Sequence, residues 1–109
     1  MKDDLLKIIS FYGVLPQLKP FNSEVFELTE AIINFENDEY NYYPEVEKSH
    51  KKHIAEEIAD VLNMVEQFMY YYDIDIQDVI EIKHKKINRQ LERIKNEKDN
   101  NIIWIIRIN

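Results

Sequence analysis

Two stretches decide the fold: SEVFELTEAIINF, Ser23–Phe35, and HIAEEIADVLNMVEQF, His53–Phe68. In the first, Val25, Leu28, Ile32 and Phe35 recur at helical spacing; in the second, Ile54, Ile58, Val61, Val65 and Phe68 do. At 100° per residue, each stripe spans roughly 20–100° measured from a glutamate, Glu24 or Glu57. Glu27 and Asp60, three residues further on, fall about 60° to the other side. Both helices therefore set two carboxylates on the same edge of the apolar face, and packing the stripes together brings four acids to the margin of a core.

Four converging carboxylates in a partly dry site cannot all stay ionised alone: their pKa values rise, or cations bind. Spacing leaves two readings open, a metal site or two acidic edges turned to water. The chain has no Cys, so an ion held here has only oxygen donors, which suits Mg²⁺ or Mn²⁺.

Outward from these stretches the pattern stays helical. Asp3 or Asp4 caps a short first helix whose apolar positions are Leu5, Leu6, Ile8, Ile9 and Tyr12. Gly13, the only glycine, stands where a left-handed residue ends that helix, and Pro16 follows. Asn22, after Pro20, is the expected cap of a second helix to Phe35. The polar, Tyr-rich stretch 36–48 with Pro44 reads as a loop. Ser49 opens a third helix to Tyr72, on whose broad face Met64 and Met69 read as core. A turn at Asp73–Asp75 leads to a fourth, about Ile76–Lys95. Past the polar pair Asn100–Asn101 comes the apolar run IIWIIRI, with Trp104 as a packing anchor. The expectation is an all-α, four-helix bundle-like domain over 1–98 with an apolar tail over 99–109, assembled as a homo-oligomer.

Composition excludes much. One glycine rules out Gly-rich phosphate loops, and absent cysteine rules out disulfide scaffolds, thiolate zinc sites and cysteine nucleophiles. The net charge of −7 argues against nucleic-acid binding. No apolar run approaches a membrane span and MKDDLLK is no signal peptide, so the expected location is cytoplasmic. The charge is unevenly placed: residues 1–82 carry 6 basic and 18 acidic side chains, while 83–98 carry 7 basic against 2 acidic. That is an acidic body of −12 beside a basic segment of +5, able to meet a cation and an anion.

ExxE followed by ExxD, in the settings EVFELTEAI and EEIADVLNMVEQF, resembles the MazG-like all-α nucleoside triphosphate pyrophosphohydrolases. The resemblance covers about residues 1–95 and implies a dimer or higher assembly, homodimer or homotetramer. It implies Glu24, Glu27, Glu57 and Asp60 as Mg²⁺ ligands, and Mg²⁺-dependent hydrolysis of a (d)NTP substrate to (d)NMP and pyrophosphate. Glu27, facing inward beside Leu28, is the choice for general base. Ser23 replaces the first Glu of the family's EExxE, with Glu30 and Glu56 as nearby spares. A KxxN arrangement in the family matches Lys85 and Asn88 as phosphate contacts, with Arg89 and Arg93 as stand-ins. The second class is a non-catalytic helical nucleotide-binding or regulatory protein of the same fold, which Ser23 favours.

Other groupings carry less. His50, His53 and Glu57 could meet zinc but lack a fourth ligand. Ser10, Ser23 and Ser49 lie in no nucleophile elbow. A redox di-metal bundle needs Glu-x-x-His pairs, which neither motif supplies. Tyr40, Tyr42 and Tyr43, or Phe11, Phe21 and Phe26, could stack on a base, although the tyrosines read better as a loop packed on its own helices.

Overall fold

A computed structural model describes the backbone of residues 1–108 and the side chains of residues 1–98. It contains four helices: α1 Lys2–Tyr12, α2 Val14–Asn37, α3 Pro44–Tyr71 and α4 Ile76–Ile108. The all-α reading holds. The chain divides into two compact units, Met1–Asp73 and Ile74–Asn109, the second consisting of α4 and its lead-in.

Three boundaries differ from expectation, two of them because a proline opens or lies within a helix where its presence predicts a break. α2 starts at Val14, not after Pro20. Pro16 sits in its first turn, where no intrahelical N–H bond is lost. Pro20 lies within the helix and leaves the carbonyl of Pro16 without its partner; both prolines are exposed, so water can take the bond. α3 starts at Pro44, because a proline at the first helical position opens a helix as readily as it ends one. Glu45 and Glu47 in that first turn complement the helix dipole. Asn22 and Ser49, expected caps, are both helix-interior residues, and Asp3 and Asp4 lie inside the first turn of α1, whose N-cap is Met1. α4 continues through Asn100–Asn101; the side chains of the expected tail, Trp104 among them, lie outside the described residues.

Gly13 separates α1 from α2 with φ +91° and ψ 156°, a conformation that side chains bearing a Cβ avoid. Its N–H donates to the Ile9 carbonyl at 2.8 Å. The connection between α2 and α3 is closed by Asp38, whose carboxylate accepts the Tyr40 N–H at 2.9 Å and meets His50 Nε2 at 2.7 Å. Asn41 Nδ2 adds a bond to the Phe35 carbonyl at 3.0 Å.

Within the first unit α1 packs on α3 through Leu5 and the fully enclosed Ile9, and α2 runs antiparallel along α3. Three contacts fix the register of that pair. Buried Gln17 Nε2 donates to Gln67 Oε1 at 2.8 Å, Phe21 meets Phe68 edge to face at 5.7 Å, and Phe35 packs on the His50 ring at 5.4 Å. The seam is not centred on the apolar stripes. With Glu24 at 0°, its α2 side runs from Ala31 through Gln17, Phe35 and Leu28 to Phe21, about 340–60°. With Glu57 at 0°, His50, Ile54, Val61, Met64 and Phe68 occupy the same arc on α3. Glu24 and Glu57 thus lie inside the seam and not at its margin. Val25, Ile32, Ile58 and Val65, assigned to the core by pattern, are 39–43% exposed.

Candidate functional site

The antiparallel register sets Glu24 opposite Asp60 and Glu27 opposite Glu57, since each pair sums to the same position number as Gln17 with Gln67. One carboxylate oxygen from each of Glu24, Glu57 and Asp60 lies within 4.8 Å of the other two. That span is near the roughly 4.2 Å between opposite oxygen ligands of one Mg²⁺. Glu27 is exposed, not turned inward as expected beside Leu28, and is not part of that triplet, but its charge raises the proton affinity of both Glu24 and Glu57.

Electrostatics mark the cluster. Glu24 Oε2 and Glu57 Oε2 are enclosed and have no hydrogen-bond partner. Burial raises the pKa of Glu24, helped by the charges of Glu27 and Asp60, by a hydrogen bond that protonated Glu24 donates to the Glu27 carboxylate, and by the charge of Glu57. Burial also raises Glu57, with Glu27 and Asp60 adding to it and His53 opposing. His53 stands beside this cluster, Nε2 3.8 Å from Glu57 and Nδ1 3.9 Å from Glu56. Enclosed, crowded carboxylate oxygens without partners and with raised proton affinity are groups that a positive charge stabilises. The donor set is all oxygen and the spacing small, so these residues fit a hard divalent cation.

The chain belongs to the MazG family. The family model of the MazG nucleotide pyrophosphohydrolase domain matches residues 17–94, nearly three-quarters of the sequence. No curated protein and no solved structure matches the chain. The MazG match contains all four acids of the ExxE and ExxD motifs and both Lys85 and Asn88. Its first residue is the buried Gln17, and it ends at Ile94, ahead of the apolar tail.

Other candidates fall out differently. Lys85 and Asn88 are exposed on α4, in the second unit, where Lys86, Arg89, Gln90 and Arg93 line a small basic notch. Glu30 and Glu56 are exposed and outside the MazG carboxylate triplet. His50 is engaged by Asp38, so it makes no zinc group with His53. Tyr42 and Tyr43 pack on each other at 4.4 Å, and Tyr40 stacks on Tyr43 at 6.4 Å. Phe21 belongs to the α2–α3 seam, while Phe11 and Phe26 are open to solvent. Pattern reading missed the Gln17–Gln67 bond, because a buried glutamine carries no periodic signal. It also missed the stripe of Lys19, Asn22, Ser23 and Phe26 beside Glu27, although the i, i+3, i+4, i+7 spacing was visible.

Proposed function

We propose that this protein is a Mg²⁺-dependent nucleoside triphosphate pyrophosphohydrolase that cleaves (d)NTP to (d)NMP and pyrophosphate, a nucleotide-pool housekeeping activity. The observation that carries the reading is the pair of enclosed, unpartnered oxygens on Glu24 and Glu57, facing Asp60 within a MazG-family domain. Glu24, Glu27, Glu57 and Asp60 would hold the cation, with Mn²⁺ a competent substitute.

When bound, Mg²⁺ supplies charge neutralisation at the phosphates and makes a nearby water more acidic. Glu27 would take the proton from the attacking water; its carboxyl is open to solvent, and its charge acts on both Glu24 and Glu57. The water oxygen bonds to the α-phosphorus, giving the monophosphate, as the bond from that phosphorus to the α–β bridging oxygen breaks and its electron pair leaves with pyrophosphate. Glu24 and Glu57, fixed by the seam, would hold the cation and keep its position relative to the reacting phosphate. Lys85 and Asn88 are assigned to phosphate contact on α4. Residues 1–98 form the working domain, and 99–109 an apolar appendage.

The assembly in this reading is a homodimer or homotetramer, supported by apolar side chains left open on α2 and α3, and light scattering of the purified chain tests it. A cytoplasmic location and independence from nucleic acid accompany the housekeeping role; no helix is long and apolar enough to cross a membrane among the described residues.

The deciding experiment is a panel of canonical and modified (d)NTPs with Mg²⁺, scored for pyrophosphate against orthophosphate. Pyrophosphate release that is lost in Asp60→Asn supports the enzyme. Silence across the panel, with Mg²⁺ failing to raise the melting temperature, replaces it by a non-catalytic nucleotide-binding or regulatory role for the fold.

A further inference from the structure

Lys19, Asn22, Ser23, Phe26 and Glu27 line an open groove of about 570 Å³ along α2. They recur at i, i+3, i+4, i+7 and i+8, which confines them to an arc of about 140° on one side of the helix. Glu27 is shared: it borders the groove, and its charge also acts on Glu24 and Glu57. The other polar members are all donors, an ammonium, a carboxamide and a hydroxyl. None of the three makes an ion pair or side-chain hydrogen bond among the described residues. Elsewhere in this unit Lys51 is held by Glu47 and Lys2 lies over the Tyr70 ring. Lys19 is the one basic side chain lining the groove.

We propose that this groove seats the phosphate tail of the substrate, with Lys19 as its charged ligand, Asn22 and Ser23 as hydrogen-bond donors, and Phe26 as an apolar wall. The proposal rests on the pyrophosphohydrolase reading for the identity of the ligand. A polyphosphate brought against four carboxylates is repelled unless positive charge meets it on more than one side. The cation supplies one side, and Lys19, whose three N–H donors turn freely on a long stem, supplies another. Ser23 is one helical turn from Lys19 and adjacent to Glu24, so donors run from the acid cluster outward along the helix. As the α–β bridge breaks, the departing pyrophosphate gains the bond's electron pair, and an ammonium in the groove stabilises that added charge.

The test is calorimetric binding of inorganic pyrophosphate to the full chain in excess Mg²⁺, comparing wild type with Lys19→Ala, Lys19→Arg and the exposed control Lys52→Ala. Loss of a charge-assisted contact predicts about tenfold weaker binding or more for Lys19→Ala. Arginine should recover most of it, and Lys52→Ala should stay within twofold. The Mg²⁺-induced rise in melting temperature should be equal in all four proteins, which separates the groove from the cation site. Pyrophosphate affinity unchanged in Lys19→Ala overturns the proposal. So does an equal loss for a nucleoside monophosphate, which would assign the groove to the nucleoside. Lys19-dependent pyrophosphate binding without turnover of any (d)NTP would sink the hydrolase reading alone; turnover with an unchanged KM in Lys19→Ala would sink the groove alone.

Discussion

Replacing Glu24 by Gln should make the metal-free protein more stable and the metal-loaded protein less stable than wild type. Gln keeps the volume of Glu24 but removes its charge, and its carboxamide can donate to the orphaned Glu57 oxygen or to Asp60. A hydrogen bond to a charged acceptor contributes about 1.5–3 kcal/mol; the open flank at Asp60 argues for the lower figure. At about 4–8 °C per kcal/mol for a domain of this size, the melting temperature should rise by roughly 6–12 °C without metal. The sign depends on pH. The folded pKa of Glu24 lies above the ordinary 4.5, so the folded state holds this proton more tightly than the unfolded chain. Wild type is therefore penalised progressively as pH rises from about 4.5 through the folded value, and the advantage of Glu24→Gln is smallest below 4.5 and grows as pH rises through the folded value. Added Mg²⁺ reverses the order, because a cation at one hundred times its Kd stabilises wild type by about 2.7 kcal/mol and the variant has lost a ligand. Scanning fluorimetry across pH, with and without Mg²⁺, reads both effects. A metal-free Glu24→Gln that melts below wild type at pH 8 would refute the electrostatic reasoning. An undiminished Mg²⁺ response in the variant would refute the assignment of Glu24 to the cation.

Other consequences are more local. Glu27→Gln should fold normally by circular dichroism while turnover drops about 10²-fold or more, the usual scale for losing a general base. Ile9→Ala empties a fully enclosed site between α1 and α3 and should cost about 2–5 kcal/mol in urea unfolding. Asp38, held below its ordinary 3.8 chiefly by the His50 hydrogen bond, contributes stability above that value that is lost as pH falls through the lower folded one. An acid titration should accordingly show wild type more stable than His50→Ala at pH 7, with the gap narrowing as pH falls from 3.8 through the lower folded value and the part due to ring packing on Phe35 remaining.

The acid pairs were readable because helical spacing is a local property: Glu24 with Glu27 and Glu57 with Asp60 need only 100° per residue. Their placement relative to the core was not, because apolar stripes report what avoids water and not what a neighbouring helix covers. Val25 and Ile32 point where hydrophobicity suggests, yet the seam forms about 40° away, around Gln17, Ala31 and Phe35. Prolines misled for a related reason. Pro20 and Pro44 carry the same local signal, but one is a helix interior whose lost bond faces water and the other is a helix start. Lys19 went unread because a lone lysine on a polar face has no pattern until a groove gives it neighbours.

Register is what converts two ordinary helices into this site. Each carboxylate pair spans a single turn, so a slip of α2 by one turn along α3 would still leave four acids on the two helices. It would not leave Glu24 facing Asp60 and Glu27 facing Glu57. Apolar contacts alone specify such a slip weakly, since Leu, Val and Ile pack against one another at several offsets. The seam instead carries a directional contact at each end: the buried Gln17–Gln67 bond beyond Phe21, and the His50 ring between Phe35 and Asp38. A one-turn slip breaks the glutamine bond and strands both amides in a dry environment, at about 1–3 kcal/mol for each unsatisfied group. It also separates His50 from Asp38. The repulsion among the carboxylates is greatest in the correct register, so the cluster itself favours leaving it. The polar contacts at the two ends hold the helices against that repulsion.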